Sequence, residues 1–527
     1  MSFIKDMVEN PHPVYAQNAA FWQFLLQSYE GGQAYTGASV AGQAVSNNDA
    51  LDSKITVNGR KLETVIASNL FQHPKERTQD YNRRVAMSYY YNFCAPIIDI
   101  YSDHLFKQNV DEDFGSLDTT VQAIKDNIDR RGSSIMEFRR NVADVAQIYG
   151  HCFLVVDSPA ISDTDILTRQ DQIDFGAFPY VSIYTPNNVI NWSLDENGSA
   201  YWVLLCETTD ANKDPMAFDK NAKYKKTYRL WTREEWVLYD SEYQEIARGV
   251  HALGEVPIVC VYNKRSRRTR AFLGISDLSD ISFIARDIYN ASSELRQILR
   301  DQTFAFLALQ GTSNEYNEVE IGTNKGIVYP EGRNVPQYVS PPTDNAQVYF
   351  QHIDRQISKI YQIAKLDSGG VSGKVDNPNT GIADQQSGVS KAWDFNQTNS
   401  ALSSKSSNME DAEQKMWHLI AAWEGTEFDG SISYPDDFSV SSLMDDLREA
   451  EMEARVELGA TFNTEVRKAI IHKKFPRLQD SDLLKMEKEV EQIFSSKLTP
   501  AQSLAERARK MFNQNTDTVG KTGGQNV

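Results

Sequence analysis

The chain has 527 residues and a formal net charge of −18, from 54 basic and 72 acidic side chains. That length calls for two to four domains or one elongated assembly unit, and the acidic balance argues against a protein that grips nucleic-acid phosphates tightly over a broad surface. No run of about 18 apolar residues exists, no hydrophobic signal region opens the chain, and Cys94, Cys152, Cys206 and Cys260 have no short spacing, so no membrane span, secretion signal, zinc site or redox motif is expected.

Tyr15, Asn18, Trp22, Leu25, Leu26 and Tyr29 recur at helical intervals and predict a helix over 14–30 that stops at Gly31-Gly32. Residues 33–53 are polar and small and read as an exposed excursion. Helical regions follow at 74–106 and at 116–149, the latter broken at Gly132. Strands then take over, with CFLVVD (Cys152–Asp157) a short buried one. Phe178–Trp192 and Ala200–Thr208 follow, joined at Glu196-Asn197-Gly198, where Asn-Gly between alternating apolar runs signals a hairpin. KTYRLWT and EWVLYD continue an antiparallel meander that VPIVCVY (Val256–Tyr262) closes. The result is an α+β body in a mainly helical chain.

Five basic residues lie between Lys264 and Arg270, reading either as a solvated loop or as a contact with nucleic acid or an acidic neighbouring subunit. A helix is predicted over 278–309, with Ile281, Ile284, Ile288, Leu295, Ile298, Leu299 and Phe306 on its apolar stripe. Gly311–Pro342 is turn-rich with no core of its own, and Val348, Ile353, Ile357, Ile360, Tyr361 and Ala364 predict a second helix over 345–365. The glycine-rich Leu366–Gly381 loop comes next, then a helix over 383–423 that would run roughly 60 Å. Along it Leu402, Met409, Met416 and Trp423 stand seven apart, predicting a packing seam toward a neighbour. Asn396, Ser400, Ser403, Ser407 and their like make its other faces small and polar, a weakly adhesive wall. Short helices from Val440 and a disordered tail from Asn513 end the chain.

No catalytic signature emerges. Gly520-Lys521-Thr522 imitates a phosphate-binding loop, but Asn515 stands where the motif needs glycine; Gly373-Lys374 fails likewise, with Ser368 and Val375 at the required positions. His151 and Cys152 are strand neighbours whose side chains point to opposite faces, so they cannot form a nucleophile–base pair. The eight histidines include no HxxxH or HExxH pattern. Neither a catalytic residue nor a cofactor or metal is expected.

The phrases YYYNFCAPIIDIYSDHLF (from Tyr89), GHCFLVVDSP (from Gly150) and VINWSLDENGSAYWVLLCE (from Val189) resemble the wing of tailed-bacteriophage portal proteins, the head-to-tail connectors, from short-tailed and related phages. GISDLSDISFIARDIYNASSELRQIL (from Gly274) is similar to their first stem helix. The resemblance implies a portal fold: a wing over 1–273, a first stem helix over 274–310, a clip over 311–342 and a second stem helix over 343–366. A tunnel loop over 367–382, a long helix returning to the wing over 383–439, and a crown with a disordered tail over 440–527 complete it. It further implies a dodecameric, non-enzymatic ring with a central channel, assembled in the host cytoplasm and resident at the capsid vertex of the virion. Its partners would be double-stranded DNA in the channel, the terminase large subunit, a head–tail adaptor and the major capsid protein, with no membrane. Lys374 and its loop neighbours Gly369, Gly370, Gly373 and Asn377 would touch DNA. Arg286, Arg296, Arg300, Lys359 and Lys365 lie on stem-like helices, where they would face the lumen or pair between subunits. The rival readings are a capsid or tail-tube component and a nucleotide-driven motor or nuclease.

Overall fold

A computed structural model describes residues 3–37, 56–57, 60–61, 69–159, 172, 176–212, 216, 224–269, 271–303, 306–308, 337–339, 344–366, 388–436, 438 and a few positions from 468 to 490. The chain divides into two units, residues 1–104 with 111–436, and residues 105–110 with 437–527. In the second, residues 485–490 are helical; most of the expected crown, with Gly520-Lys521-Thr522, lies outside the described residues.

The first unit opens with α1 (Phe3–Glu9) and α2 (Pro13–Glu30). Pro13 suits a first turn, where its missing N–H costs nothing, and the His12 ring accepts a hydrogen bond from the Val14 N–H at 3.2 Å. Tyr15, Trp22 and Leu25 bury one stripe of α2. The polar excursion expected from Gln33 starts later, because Gly32–Thr36 forms a turn of helix, α3. Tyr35 dictates this: it is wholly buried, with its ring 3.9 Å from that of Tyr90. Residues 38–53 lie outside the described residues, and β1 (Thr56–Val57) pairs with β2 (Arg60–Lys61).

The helix expected over 74–106 is two, α4 (Thr78–Met87) and α5 (Cys94–Leu105). The Asn92 carboxamide accepts from the N–H groups of both Cys94 and Ala95 at 3.0 Å, so α5 starts afresh with its own cap. After β3 (Asp111–Asp113), the region expected over 116–149 divides around Gly132, as expected, into α6 (Asp118–Asp126) and α7 (Ile135–Tyr149). Ser134 caps α7, accepting from the Glu137 N–H at 3.4 Å.

β4 (His151–Asp157) is buried at every position, which is why its sequence is a continuous apolar run rather than an alternating one. The single meander expected for the strands is two sheets. β4 is the centre of a three-stranded antiparallel sheet, between β5 (Tyr180–Tyr184) and β11 (Ile258–Tyr262). A second sheet runs in the order β10-β9-β8-β7-β6, from β6 (Val189–Leu194), β7 (Ala200–Asp210), β8 (Tyr224–Thr232), β9 (Glu235–Tyr239) and β10 (Glu245–Val250). Two details explain the division. The stretch 178–192, expected as one strand, turns at Thr185–Asn188 and changes sheet, the Asn188 N–H bonding the Thr185 carbonyl at 2.9 Å. Val256–Tyr262 pairs with β4 instead of closing the meander beside β10. The Asn197-Gly198 hairpin forms as expected, Gly198 taking φ 87°.

Three further helices follow: α8 (Ile281–Thr303), α9 (Asp344–Ile363) and α10 (Gly388–Trp423). α8 is shorter than the predicted 278–309, since Phe306–Ala308 forms β12, antiparallel to β13 (Gln337–Val339). Phe306, expected on the helical stripe, therefore belongs to a strand. Residues 311–336 of the expected clip lie outside the described residues. β14 (Ser431–Ser433) pairs with β3.

α10 carries the clearest correction. Its heptad seam faces the chain's own core: Leu402, Met409 and Met416 are buried, the last two packing beside Leu154 and Val261, and the Trp423 indole donates to the Val156 carbonyl at 3.1 Å. Some of the small polar side chains beside it are also in use. Ser406 bonds the Pro435 carbonyl and Asn408 the Asn263 carbonyl, while Ser400, Ser404 and Ser407 stay exposed. The apolar seam is therefore spent on the three-stranded sheet of the same chain.

Candidate functional site, the root of the glycine-rich loop

α8 and α9 lie antiparallel, since partners ascending α9 descend α8. The Tyr349 hydroxyl donates to Glu294 at 2.8 Å, while the His352 ring and the Gln356 carboxamide meet Asp287 at 2.9 and 3.0 Å. Val348, Phe350 and Ile363 on α9 and Phe283 and Leu299 on α8 remain large, apolar and exposed. The α9 end leads straight into the loop, and its last turn is pinned from two sides. The Tyr101 hydroxyl of α5 donates to the Ala364 carbonyl, and the Thr398 hydroxyl of α10 donates to the Lys365 carbonyl. Lys365 sits at φ 54°, a left-handed position that stops the helix. Two orphan carbonyls of the helix end are thereby satisfied by side chains from different elements.

A buried cation ties this root to the start of α8. The Lys405 ammonium, on the buried face of α10, bonds Asp277 just before α8 and the Asn263 side-chain oxygen, and lies 5.0 Å from the centre of the Tyr101 ring. Burial lowers its pKa, Asp277 opposes that shift, and the nearby Lys365 and Lys264 push it further down. Lys405→Met should cost about 2–3 kcal/mol, below the full cost of a broken buried pair because Asp277 is partly exposed and can reach water. Urea unfolding measures this, and hydrogen exchange should quicken at Asp277–Ile281 and Ala364–Leu366 together; exchange unchanged at both would remove Lys405 as their link.

The same corner contains His151. Trp22, Phe153 and Tyr262 surround its ring, whose Nδ1 accepts the Gly274 N–H at 3.3 Å. Burial lowers its pKa to about 3. The folded state holds it neutral while the unfolded chain protonates it near 6.5, so the contribution is present above pH 6.5 and is lost as pH falls toward 3. His151→Gln, which keeps an acceptor for the Gly274 N–H, should flatten stability against pH in that window. An equally steep acid loss in the variant would assign it to other groups. Cys152 is buried with its thiol pKa pushed well up by burial, consistent with an inert core residue.

The loop residues Gly369, Gly370, Gly373, Lys374 and Asn377 lie outside the described residues. Of the expected channel cations, Arg286 packs over the rings of Phe24, Phe71 and Phe283 at 4.9 to 5.1 Å. Arg296 donates to the Met87 carbonyl and lies over Tyr89, and Arg300 reaches the Met87 sulfur at 2.8 Å. These three are thus engaged with α2, α4 and the segments beside α4. Lys359 is exposed and donates to Gln362 at 2.9 Å, and Lys365 is exposed at the loop root. Tyr101, Lys405, Asp277 and Asn263 were not singled out from sequence. Lys405 did leave a trace, as a lysine three residues after Leu402 and four before Met409, on the seam side of an otherwise apolar stripe. Among the described residues no group of His, Cys, Asp or Glu could hold a metal ion, and no helix is long and apolar enough to cross a membrane.

A helical hairpin tipped by a small strand pair, a pinned loop root and a long helix laid on a sheet are structural features, built to hold a segment in place. Residues 74–497 match the phage portal protein family, SPP1 Gp6-like, and the chain belongs to that family. The family is structural rather than catalytic. No curated protein matches the chain.

Proposed function

We propose that this chain forms the dodecameric ring at the unique capsid vertex, the conduit through which double-stranded DNA is packaged and later ejected. The observation that carries this reading is the family match over residues 74–497, which takes in the hairpin, the loop and the long helix. Three physical features support it. The exposed Val348, Phe350 and Ile363 on α9 are surface that a neighbouring copy would bury. The net charge of −18 suits a channel that must let DNA slide without holding it. The pinned Ala364 and Lys365 give a loop with a firm base from which to touch passing DNA.

In this reading α8 and α9 are the stem, 311–342 the clip that receives the terminase large subunit and afterwards a head–tail adaptor, and the wing sits among copies of the major capsid protein. Channel contact falls to Lys374 with its glycine neighbours and to Lys359 and Lys365, while Arg286, Arg296 and Arg300 brace the first stem helix against the wing. The ring is assembled in the host cytoplasm and stays in the virion. A phage carrying an early stop in this gene should yield heads without DNA, rescued by the protein supplied in trans. DNA-filled, infectious particles without it would overturn the reading.

A further inference from the structure

Residues 263–269 and 271–275, which follow β11, form a finger whose base is pinned by hydrogen bonds. The Asn263 N–H bonds the Gly150 carbonyl at 3.0 Å, the Asn263 carboxamide donates to the Ile275 carbonyl at 3.0 Å, and the Ser266 and Ile275 N–H groups bond Leu273 and Lys264. Gly150 and Gly274 make the close approach possible: Gly150 has φ 92°, and a Cβ on Gly274 would fall 1.8 Å from the Gly150 oxygen. Phe272 is buried against Phe153 and Trp192, and Ser266 is buried as well. Lys264, Arg265, Arg267 and Arg268 nonetheless stand exposed, and none has a carboxylate within ion-pair distance among the described residues. Lys405 bonds the Asn263 side chain at the finger's base and lies over the ring of Tyr101, whose hydroxyl bonds the Ala364 carbonyl, so the finger base and the loop root share one neighbourhood. A solvated loop needs no such anchoring, and an acidic chain has little reason to hold four exposed cations together on it.

We propose that this finger is a phosphate-backbone site for duplex nucleic acid, formed by Lys264, Arg265, Arg267 and Arg268 with Lys365 beside them, distinct from the glycine-rich loop. The guanidinium majority, whose planar forks match phosphate as well as carboxylate oxygens, suits a phosphate backbone, and the proximity of Lys365 at the loop root extends the run of positive charge that such a backbone would follow. The inference rests on the portal reading for its supply of DNA.

The test uses the purified full-length assembly and a short fluorescent duplex of mixed sequence, with binding measured by anisotropy across a salt series. Arg267→Gln with Arg268→Gln should leave the particle mass by light scattering unchanged and reduce the slope of log affinity against log salt by about 2, about 1 for each lost phosphate contact. Arg267→Lys with Arg268→Lys should keep most of that slope. An unchanged slope and affinity in the Gln variant overturn the site, as does absence of duplex binding by the unaltered protein at low salt. Dissociation of the Gln variant into single chains, with the Lys variant intact, overturns it in favour of a contact between copies. Failure of the unaltered chain to form rings would sink the portal reading instead, and is seen before any DNA is added.

Discussion

Replacing Arg139 by methionine is expected to cost the fold about 3–5 kcal/mol, the loss that follows when one member of a buried ion pair is removed. Arg139 of α7 is 2% exposed and grips Glu413 of α10 with two nitrogens, at 2.5 and 2.9 Å, while a third contact reaches Glu112 of β3 at 2.5 Å. Glu413 also accepts from the Tyr434 hydroxyl at 2.5 Å and the Trp417 indole at 3.1 Å. Burial works against the charged guanidinium, but Glu413 together with Tyr434 and Glu112 opposes it, and the Arg139 pKa is raised above its ordinary value. Without the arginine, Glu413 would be left charged and 4% exposed, with only two neutral donors. Its burial, not the lost attraction, sets the size of the effect. Adding Glu413→Gln should therefore recover part of the loss, a coupling that a double-mutant cycle in urea measures. A single-variant loss below about 1 kcal/mol would mean that water reaches the cluster.

Deleting Gly369–Asn377 is expected to leave assembly intact and to lower the yield of DNA-filled particles by an order of magnitude. The root of the loop is built independently of its tip. Tyr101, Thr398 and the left-handed Lys365 fix where the chain leaves α9, and none of these contacts uses the deleted residues. The deletion removes Lys374 and three glycines while sparing the anchors, so a loss of packaging with normal particle mass assigns the loop a part in handling DNA. Normal phage yield would remove the loop from the mechanism.

Much of the architecture was legible because its signals are local. The stripe Tyr15, Trp22, Leu25 gave α2 nearly to the residue, and the Asn197-Gly198 pair gave its hairpin. Most of the errors have a different cause, a contact distant in sequence, although the cap that restarts the chain as α5 is a local one that periodicity does not register. The cap at Asn92 and the burial of Tyr35 against Tyr90 broke or began helices that periodicity alone ran together or left out. The pairing of β11 with β4 joins strands about a hundred residues apart, and alternation within a strand does not name its partner. Leu402, Met409 and Met416 showed the seam, but spacing cannot distinguish a helix that packs on its own sheet from one that packs on a neighbour. At the candidate site, the charge of Lys359 and Lys365 was visible, whereas the engagement of Arg286 by three aromatic rings required the tertiary fold.

The central claim is that copies of this chain close into a ring around a channel. Electron microscopy of the purified protein, paired with its solution mass, tests this most directly. Closed rings with a central hole and a mass about twelve times the 59.6 kDa of one chain are predicted. A homogeneous population of single chains or open filaments, under conditions where the protein is folded, would contradict it.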